Sequence, residues 1–382
     1  LHPAISNWYI EGGNGYETLS EALANANAGD VIYYSRSADY TEVINGKTIS
    51  KSLTIKNNGT GTVTLNGSKT KMFTVNSNSN FTLDNLILSN GGTAGGGFVS
   101  LSSGNLLLIN STLRDLSSTT AGGAITVAAN CNLTIEGSKF ENLSSSAHAP
   151  AISVSAASST TIIKDSVFNN INCTSDYSVM EVSGNLTIER SNFTNIVGKY
   201  VSNWYGAIGA KTNLWVSECQ FINLTGGYGS AIYYTGSGII NVSKSVFMNN
   251  KVYTGAIYMS STPGDANINY NIFVNNTASS GAASVYKYAS ATRVNAYYNF
   301  WGNNSKPTTS QINNVGNASY WTIVELSANS DTLFAGSSND IYVKFVATDG
   351  SANYTLDGLM PEYDFDLTAS QGTIDSSVCV VD

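Results

Sequence analysis

The sequence predicts an all-β protein whose main part is a parallel β-helix with three strands per turn. Three observations support this prediction: a repeat of nearly constant length, short alternating strands within each repeat, and an Asn at a fixed place in it. A short N-terminal capping helix and a partial immunoglobulin-like β-sandwich complete the predicted fold. We expect the β-helix and its cap to span 1–302, a linker 303–320, and the partial sandwich 321–382.

The repeat is clearest in the segments 133–143 (LTIEGSKFENL) and 186–196 (LTIERSNFTNI). Each has two apolar residues separated by one position, and five positions later an aromatic residue or Leu, which we call the anchor. The anchors are Leu88, Leu113, Phe140, Phe168, Phe193, Phe221, Phe247, Phe273 and Phe300. Successive anchors are 25 to 28 residues apart, and a fixed period in this range predicts a solenoid.

A second motif, of the type Gly-Ala-Ile, precedes many anchors and opens a short strand, as at Ile152 and Val154. Three such strands per repeat, joined by Gly, Ser and Asn, exclude helical repeats. In a parallel β-helix each strand pairs with its copy in the next turn, about 4.8 Å away. Nine turns therefore predict a rod on the order of 40 Å long.

A third regularity is the Asn that stands two residues after most anchors. Asn tolerates the left-handed backbone conformation, and its amide can both donate and accept hydrogen bonds. We therefore expect a buried structural ladder of stacked amides. Its predicted members are Asn90, Asn142, Asn170, Asn195, Asn223, Asn249 and Asn275, with Asp115 and Gly302 in the remaining places.

Composition narrows the possible functions. Charged residues are only 12% of the chain, about half the usual fraction, and the net charge is −8. With no basic run, nucleic acid is not an expected partner, and no apolar stretch is long enough to span a membrane. Cys131, Cys173, Cys219 and Cys379 occupy unlike places in the repeat, so they predict free thiols, with a disulfide as the alternative, and neither a metal site nor a cofactor.

Glycosylation acceptor motifs of the Asn-x-Ser/Thr kind are numerous, which is compatible with an extracellular protein. The candidate sites are Asn58, Asn80, Asn110, Asn132, Asn185, Asn241 and Asn317. Further sites at Asn142, Asn223 and Asn275 coincide with the expected ladder, so we expect them to be too buried for modification.

The N-terminal helix is predicted over 18–28. Thr18 and Glu21 have the spacing of a capping box, and Leu19, Ala22, Leu23 and Ala26 form one apolar stripe. Such a helix can cover the open end of a β-helix, where core residues and strand edges would otherwise be exposed.

The repeat ends near 297–307, where Trp301 follows the last anchor and is expected to cover the final turn. From Trp321 onward the pattern is that of antiparallel strands, as at the start of an immunoglobulin-like domain. Such a domain needs about 100 residues, and 62 remain. We therefore expect an incomplete sandwich that exposes core residues such as Val343, Phe345 and Leu367. It would be completed either by a continuation of the chain or by self-assembly through this end.

The opening 13–34, the Gly-Ala-Ile and Phe-x-Asn turns, and the segment 298–307 (YNFWGNNSKP) together resemble archaeal adhesin-like surface proteins of the methanogen type. This resemblance covers nearly the whole chain. It implies a right-handed, pectate-lyase-like β-helix at the cell surface. The same fold carries lyases, hydrolases and inert stalks, so the resemblance is specific for fold and weak for function.

Few ionisable residues point to catalysis. The acidic residues of the repeat are scattered, and Glu136, Lys164, Asp165 and Glu189 suggest a surface ion-pair row rather than a site. His148 lies in a predicted loop, where a single His is usually exposed to solvent. A lyase or glycosidase needs several clustered carboxylates, so the sequence predicts no catalytic residue and no enzyme.

A binding face is the stronger hypothesis, because aromatic residues concentrate between Tyr200 and Tyr298. The candidate ligand-binding residues are Trp204, Tyr205, Trp215, Tyr233 and Tyr258. Exposed aromatic rows can contact sugars or a protein partner. The alternative is that these residues only cover a sheet for which they have high β propensity.

The function expected from the sequence is therefore a non-enzymatic, extracellular cell-surface protein, adhesin-like and glycosylated, that binds a surface glycan or protein. Two alternatives stay open: a subunit of a surface filament or sheath, and a polysaccharide lyase or glycoside hydrolase.

Overall fold

The computed structural model describes residues 6–92, 96–119, 123–128, 130–200, 205–288, 294–332, 334–368, 373–374 and 378–381. Within these residues the chain is an all-β parallel solenoid of about 11 turns, with one seven-residue helix. Its strands stack in three sheets, which we call A, B and C.

Within each sheet the strands have the following order. Sheet A contains Gly15–Tyr16, Trp8–Ile10, Val31–Tyr34, Leu53–Asn57, Asn80–Asp84, Asn105–Ile109, Asn132–Glu136, Thr160–Lys164, Asn185–Glu189, Leu214–Ser217, Ile239–Ser243, Asp265–Asn269 and Val294–Asn295. Sheet C contains Lys47–Ile49, Phe73–Val75, Val99–Leu101, Ile125–Val127, Ile152–Val154, Met180–Val182, Ile208–Ala210, Ile232–Tyr234, Ile257–Met259, Val285–Lys287 and Ile312–Asn313.

Along the chain, each sheet B strand of the solenoid follows a strand of sheet A and precedes a strand of sheet C. In several later turns the sheet B strand is interrupted and forms two shorter strands. Its strands are Tyr40–Val43, Val63–Thr70, Ile87–Gly91, Thr112–Ser118, Lys139–Ser145, Val167–Cys173, Asn192–Gly198, Gln220–Ile222 with Thr225–Tyr228, Val246–Met248 with Lys251–Thr254, Ile272–Val274 with Thr277–Ala278, Asn299–Phe300, Trp321–Ala328, Ile341–Thr348 and Asn353–Thr355.

The anchors pair with one another in register and form one buried column inside the solenoid. Ring centroids are 4.7 Å apart between Phe140 and Phe168 and 4.8 Å between Phe247 and Phe273, with interplanar angles of 11° in both pairs. The last place in the column belongs to Trp301, which stacks on Phe273 at 4.9 Å. The choice of Phe300 as the ninth anchor is therefore wrong, since Phe300 points to the other side of sheet B and contacts Phe345.

The Asn residues that follow the anchors have the expected backbone conformation, but their side chains are not buried as expected. All seven have positive φ angles, between 51° and 57°, and all seven are exposed. Asn170 donates to Asn142 at 2.7 Å, whereas Asn195 donates to Asn169 instead of its predicted neighbour. The expectation of a buried ladder at these positions, closed to modification at Asn142, Asn223 and Asn275, is therefore wrong.

A buried ladder does exist, two residues before the anchors. The backbone N–H of one turn donates to the side-chain oxygen of the next, as from Ser138 to Ser166 at 3.2 Å. Toward the end of the solenoid Asn replaces Ser: the N–H of Ser245 donates to Asn271 Oδ1 at 3.0 Å, and Asn271 Nδ2 donates to Val242 O at 2.9 Å. The N–H groups of Ser138 and Ser245 lie at the corner between sheets A and B, outside the strands, and the side chains of the next turn satisfy them.

The N-terminal helix is shorter than predicted and spans Leu19–Asn25. Thr18 and Glu21 form both hydrogen bonds of the expected capping box. Leu19 and Ala22 are buried in the main core, and Leu23 packs partly buried against it. The helix therefore covers apolar residues at the first turns, as its apolar stripe predicts.

The segment 303–320 is not a separate linker, because Ile312–Asn313 extends sheet C and Asn317 bridges to Asn295 on sheet A. Trp321–Ala328 then joins sheet B beside Asn299–Phe300 and continues into antiparallel strands. The strands Tyr363–Asp366 and Val378–Val381 form a separate pair.

The C-terminal strands share a second core with the outer face of sheet B. Phe345, Leu356 and Met360 pack there in the same cluster as Val246 and Ile272 of the solenoid. The expected exposure of core residues is therefore wrong for Phe345, which is buried against the solenoid, whereas Val343 and Leu367 are only partly covered.

Two smaller predictions agree with the structure. Cys131, Cys173 and Cys219 are buried free thiols, while the side chain of Cys379 lies outside the described residues. Glu136, Lys164 and Glu189 align on sheet A, and Lys164 Nζ lies 3.2 Å from the Glu189 carboxylate. These exposed pairs belong to a surface row and contribute little to stability.

The buried ladder predicts a large cost for removing one of its amides. Asn271→Ala leaves the N–H of Ser245 without its partner and removes the bond from Asn271 Nδ2 to the carbonyl of Val242, and we expect about 1–3 kcal/mol of lost stability for the unsatisfied N–H. Asn267→Ala in the preceding strand is the matched control, since Asn267 bonds only other amides on the outer surface. Equal denaturation midpoints for the two variants would contradict the ladder.

Candidate functional site

The outer face of sheet C carries a column of tyrosines at the centre of successive strands. Tyr233, Tyr258 and Tyr286 pair in register in three consecutive turns. They point outward because their strand neighbours, such as Ile232 and Tyr234, fill the core. We call these three residues, together with Tyr228 at the end of the sheet B strand Thr225–Tyr228 and its bridge partner Tyr205, the tyrosine face.

The rings of the tyrosine face stack on one another along the rod. Centroid distances are 3.9 Å from Tyr205 to Tyr233, 5.6 Å from Tyr233 to Tyr258, and 5.4 Å from Tyr258 to Tyr286. Tyr258 also lies 4.5 Å from Tyr228 and is only 3% exposed. Because the ring faces cover each other, the inner members of the row offer solvent their edges and hydroxyls rather than flat stacking platforms.

The hydroxyls of Tyr228 and Tyr258 stay protonated. Burial, followed by the neighbouring tyrosines, raises the pKa of both Tyr228 and Tyr258. A protonated phenol both donates and accepts a hydrogen bond. The tyrosine face is therefore a row of uncharged hydrogen-bonding groups that repeats once per turn, about every 4.8 Å.

The structure brings together only part of the predicted binding set. Tyr205, Tyr233 and Tyr258 belong to the tyrosine face, whereas Trp215 lies on the outer side of sheet A, in Leu214–Ser217. Trp204 lies outside the described residues. The candidate glycosylation sites Asn58, Asn80, Asn110, Asn132 and Asn317 are exposed, and Asn185 and Asn241 are half-buried.

An ionic cluster continues the column at the N-terminal end of the tyrosine face. Glu181 occupies the central place of Met180–Val182, two turns before Tyr233, and is 8% exposed. Its Oε1 lies 3.1 Å from Lys211 Nζ, while its Oε2 is buried and has no hydrogen-bond partner in the described part of the chain. A half-paired buried carboxylate is costly, which is typical of functional positions.

Gly209 explains how the Glu181 carboxylate is accommodated. Gly209 is the partner of Glu181 in the next turn, and a Cβ built on it would lie 2.4 Å from Glu181 Oε2. The carboxylate therefore extends along the rod over the bare backbone of Gly209, toward Tyr233 in the following turn. The hydroxyl of Ser178, also buried and unpartnered among the described residues, lies against the same position.

His148 belongs to the same cluster, contrary to its predicted exposure. Its ring stacks on Tyr177 with a centroid distance of 4.1 Å, and its Nδ1 is buried without a partner among the described residues. Burial is the main influence that lowers the pKa of His148; the Glu181 charge opposes this shift and the Lys211 charge adds to it. His148 is therefore neutral near pH 7 and able to accept a proton.

Tyr205 connects the cluster to the tyrosine face. Burial raises the pKa of Tyr205, and Tyr233, Glu181 and Asp176 add to the effect. A carboxylate, an ammonium, a neutral imidazole and a phenol thus occupy adjacent turns on one face. This combination can hold and transfer protons.

Sequence reasoning missed Glu181 as a site residue because the preceding 178–180 reads Ser-Val-Met where most turns read Gly-Ala-Ile or a close variant. Counting from the anchors would have found it: Glu181 follows Phe168 by 13 residues, and Tyr233 follows Phe221 by 12. Both lie at the centre of a sheet C strand. The signal in the sequence is therefore a Glu at a position that holds Tyr, Ser or Thr in most other turns.

The described residues include no group of three or more His, Cys, Asp or Glu side chains suited to a metal ion. Nor do they include a helix with the length and apolar character needed to cross a membrane.

Comparison with known proteins finds similarity to a solved structure. No family model and no curated protein matches the chain. Among solved structures, the chain is similar to the A-module of the mannuronan C-5 epimerase AlgE6 of Azotobacter vinelandii, at 12% identity and a TM-score of 0.24. The match covers 78% of this chain and 92% of the epimerase module.

The expected non-enzymatic, adhesin-like function is corrected at this point. The cluster around Glu181 removes the premise of that prediction, which was that the ionisable residues are scattered and His148 faces solvent.

The fit between Glu181 and Gly209 predicts the effect of adding one methyl group. Gly209→Ala places Cβ against both Glu181 Oε2 and Ser178 Oγ, so we expect about 1–3 kcal/mol of destabilisation by overpacking. Gly13→Ala is the control, because its Cβ would meet nothing closer than 3.4 Å. Urea denaturation that gives the same midpoint for Gly209→Ala and the wild type would refute the placement of the carboxylate.

The environment of His148 predicts a pH-dependent contribution to stability. A folded-state pKa below the ordinary value means that this contribution is complete above about pH 6.5 and is lost as the pH falls toward the folded pKa. In a His2→Gln background, where His148 is the remaining histidine, a further His148→Gln change should therefore cost more melting temperature at pH 7.5 than at pH 5. A difference that is constant with pH would contradict the burial of the imidazole.

Proposed function

We propose that the protein is an enzyme that binds a polysaccharide along the tyrosine face and performs acid–base chemistry on it at the Glu181 cluster. The observation that carries this proposal is the position of the Glu181 carboxylate, which extends over Gly209 toward Tyr233. A sugar chain held along the tyrosines would bring its next residue to that carboxylate.

The cluster supplies complementary groups for proton transfer. Glu181 has one oxygen on Lys211 and the other without a partner among the described residues, so this second, buried oxygen is the candidate proton donor or acceptor of the site. Lys211 compensates the charge of the carboxylate. His148, neutral because of its burial, is the nearest candidate for a second base.

A cleft-shaped pocket is not required for this mode of binding. A polymer can lie along a ridge and make few contacts per sugar, provided that the contacts repeat. The tyrosine face offers such repetition over several turns, since Tyr233, Tyr258 and Tyr286 follow one another in register.

Three further features belong to the proposal rather than to the fold described above. The solenoid is right-handed with three strands per turn, the C-terminal strands derive from an immunoglobulin-like domain, and the protein is extracellular. The exposed acceptor motifs at Asn58, Asn80 and Asn110 support the last of these, and mass spectrometry of the native protein for glycans at these residues would test it.

The proposed catalysis is tested by product analysis over a panel of neutral and anionic polysaccharides. New reducing ends, absorbance of unsaturated sugars, and NMR spectra of the polymer together detect hydrolysis, elimination and epimerisation. We expect turnover by the wild type and by Glu136→Gln, which changes an exposed carboxylate on sheet A. Glu181→Gln should reduce the rate by about 100-fold or more.

Two results would overturn the proposal. One is the absence of product from every polymer that the protein binds. The other is turnover that Glu181→Gln leaves unchanged while circular dichroism shows both proteins folded.

A further inference from the structure

We infer that the tyrosine face selects a neutral polysaccharide rather than an anionic one. This inference deepens the proposed function and depends on it. It concerns the chemical class of the chain that the face recognises, and it is carried by the charges and hydrogen-bonding groups of the described residues.

The tyrosine face itself carries no charge. Its members between Tyr205 and Tyr286 are phenols, and Lys211, the cation in the adjoining cluster, is already paired with Glu181 at 3.1 Å. Lys287, next to Tyr286, points inward and is fully buried. Lys251 Nζ lies 4.9 Å from the ring centroid of Tyr200 and belongs to sheet B.

An anionic chain would present a carboxylate or sulfate at each sugar. Each such group loses hydration on binding and needs a cation or several donors to replace it. The described part of the face offers no repeating cation, and the protein as a whole has a net charge of −8. Long-range repulsion would therefore oppose a polyanion before any contact forms.

The same face is well matched to hydroxyl groups. Tyr228, Tyr233 and Tyr286 are only half-buried, so these side chains are accessible to a ligand, whereas Tyr258 is 3% exposed and supports the ring stack. Ser230 precedes the strand Ile232–Tyr234, and Thr254 ends the sheet B strand Lys251–Thr254. Ser230 Oγ and Thr254 Oγ1 are buried and have no partner among the described residues, so they lie next to the tyrosine face but not on its exposed surface. Thr254 Oγ1 lies beside Gly281, which also approaches the Tyr286 ring.

These groups share one property: each is an uncharged hydroxyl that can both donate and accept. A neutral sugar chain presents the same kind of group, so every contact can form without leaving a charge unpaired. The repetition of the hydroxyls once per turn gives an extended chain equivalent contacts along its length.

The test is affinity electrophoresis of the full chain through gels that contain a neutral polysaccharide (β-glucan, mannan or xyloglucan) or an anionic one (polymannuronate or polygalacturonate). We expect retardation by at least one neutral polymer and by neither polyanion. Retardation should change little between about 50 and 500 mM NaCl, because no ion pairs contribute.

A variant that removes only hydroxyls locates the site. The triple change Tyr233→Phe, Tyr258→Phe and Tyr286→Phe preserves the ring stack and should weaken binding by about tenfold or more. The matched control is Tyr9→Phe with Tyr33→Phe, another stacked pair at 5.7 Å on sheet A, which should bind like the wild type.

The remaining possible outcomes test different claims. Retardation by polyanions alone, weakened by salt, overturns the neutral class and leaves the proposed function standing. Retardation by no polysaccharide overturns both. Neutral binding that the triple variant leaves unchanged shows that the chain binds elsewhere than on the tyrosine face.

Discussion

Parallel pairing of each strand with its copy in the next turn is the constraint on which this structure depends. The pairing fixes the distance between turns at about 4.8 Å, so each residue of a turn lies directly against its equivalent in the next. A slot must therefore hold a residue type that tolerates its own stacking. The Phe column meets this requirement with rings 4.7 to 4.9 Å apart, and the Ser and Asn ladder meets it with hydrogen bonds that continue from turn to turn.

The same constraint shapes the outer surface. A neutral hydroxyl-bearing ring can stack on itself, as Tyr233, Tyr258 and Tyr286 do, whereas a carboxylate in the same slot cannot stack on another carboxylate without repulsion. Glu181 is accommodated because its neighbour in the next turn is Gly209 and because Lys211 neutralises it. A charged residue in this column therefore needs a glycine at the same position of the next turn and an oppositely charged partner. These two requirements distinguish Glu181 from a residue that merely covers the sheet.

The solenoid, the register of eight anchors and the capping box followed from the sequence because each is a local or strictly periodic property. The errors arose where the period alone does not say which side a residue faces. The Asn residues after the anchors have the predicted positive φ yet point outward, and Trp301 rather than Phe300 continues the core column. The Glu181 site was missed for a different reason, since Glu181, Lys211 and His148 belong to different turns and meet only when those turns are stacked.

Under the proposed function, the difference between periodic and unique positions has a mechanistic consequence. The tyrosine face offers equivalent hydroxyls in successive turns, so a bound chain has no preferred register on the tyrosines themselves. Glu181 occurs once in that column, and only the sugar that reaches Gly209 meets its second, buried oxygen. Repeated tyrosines would thus give affinity along the rod, while the one carboxylate and the glycine beside it would define where on the chain the chemistry occurs.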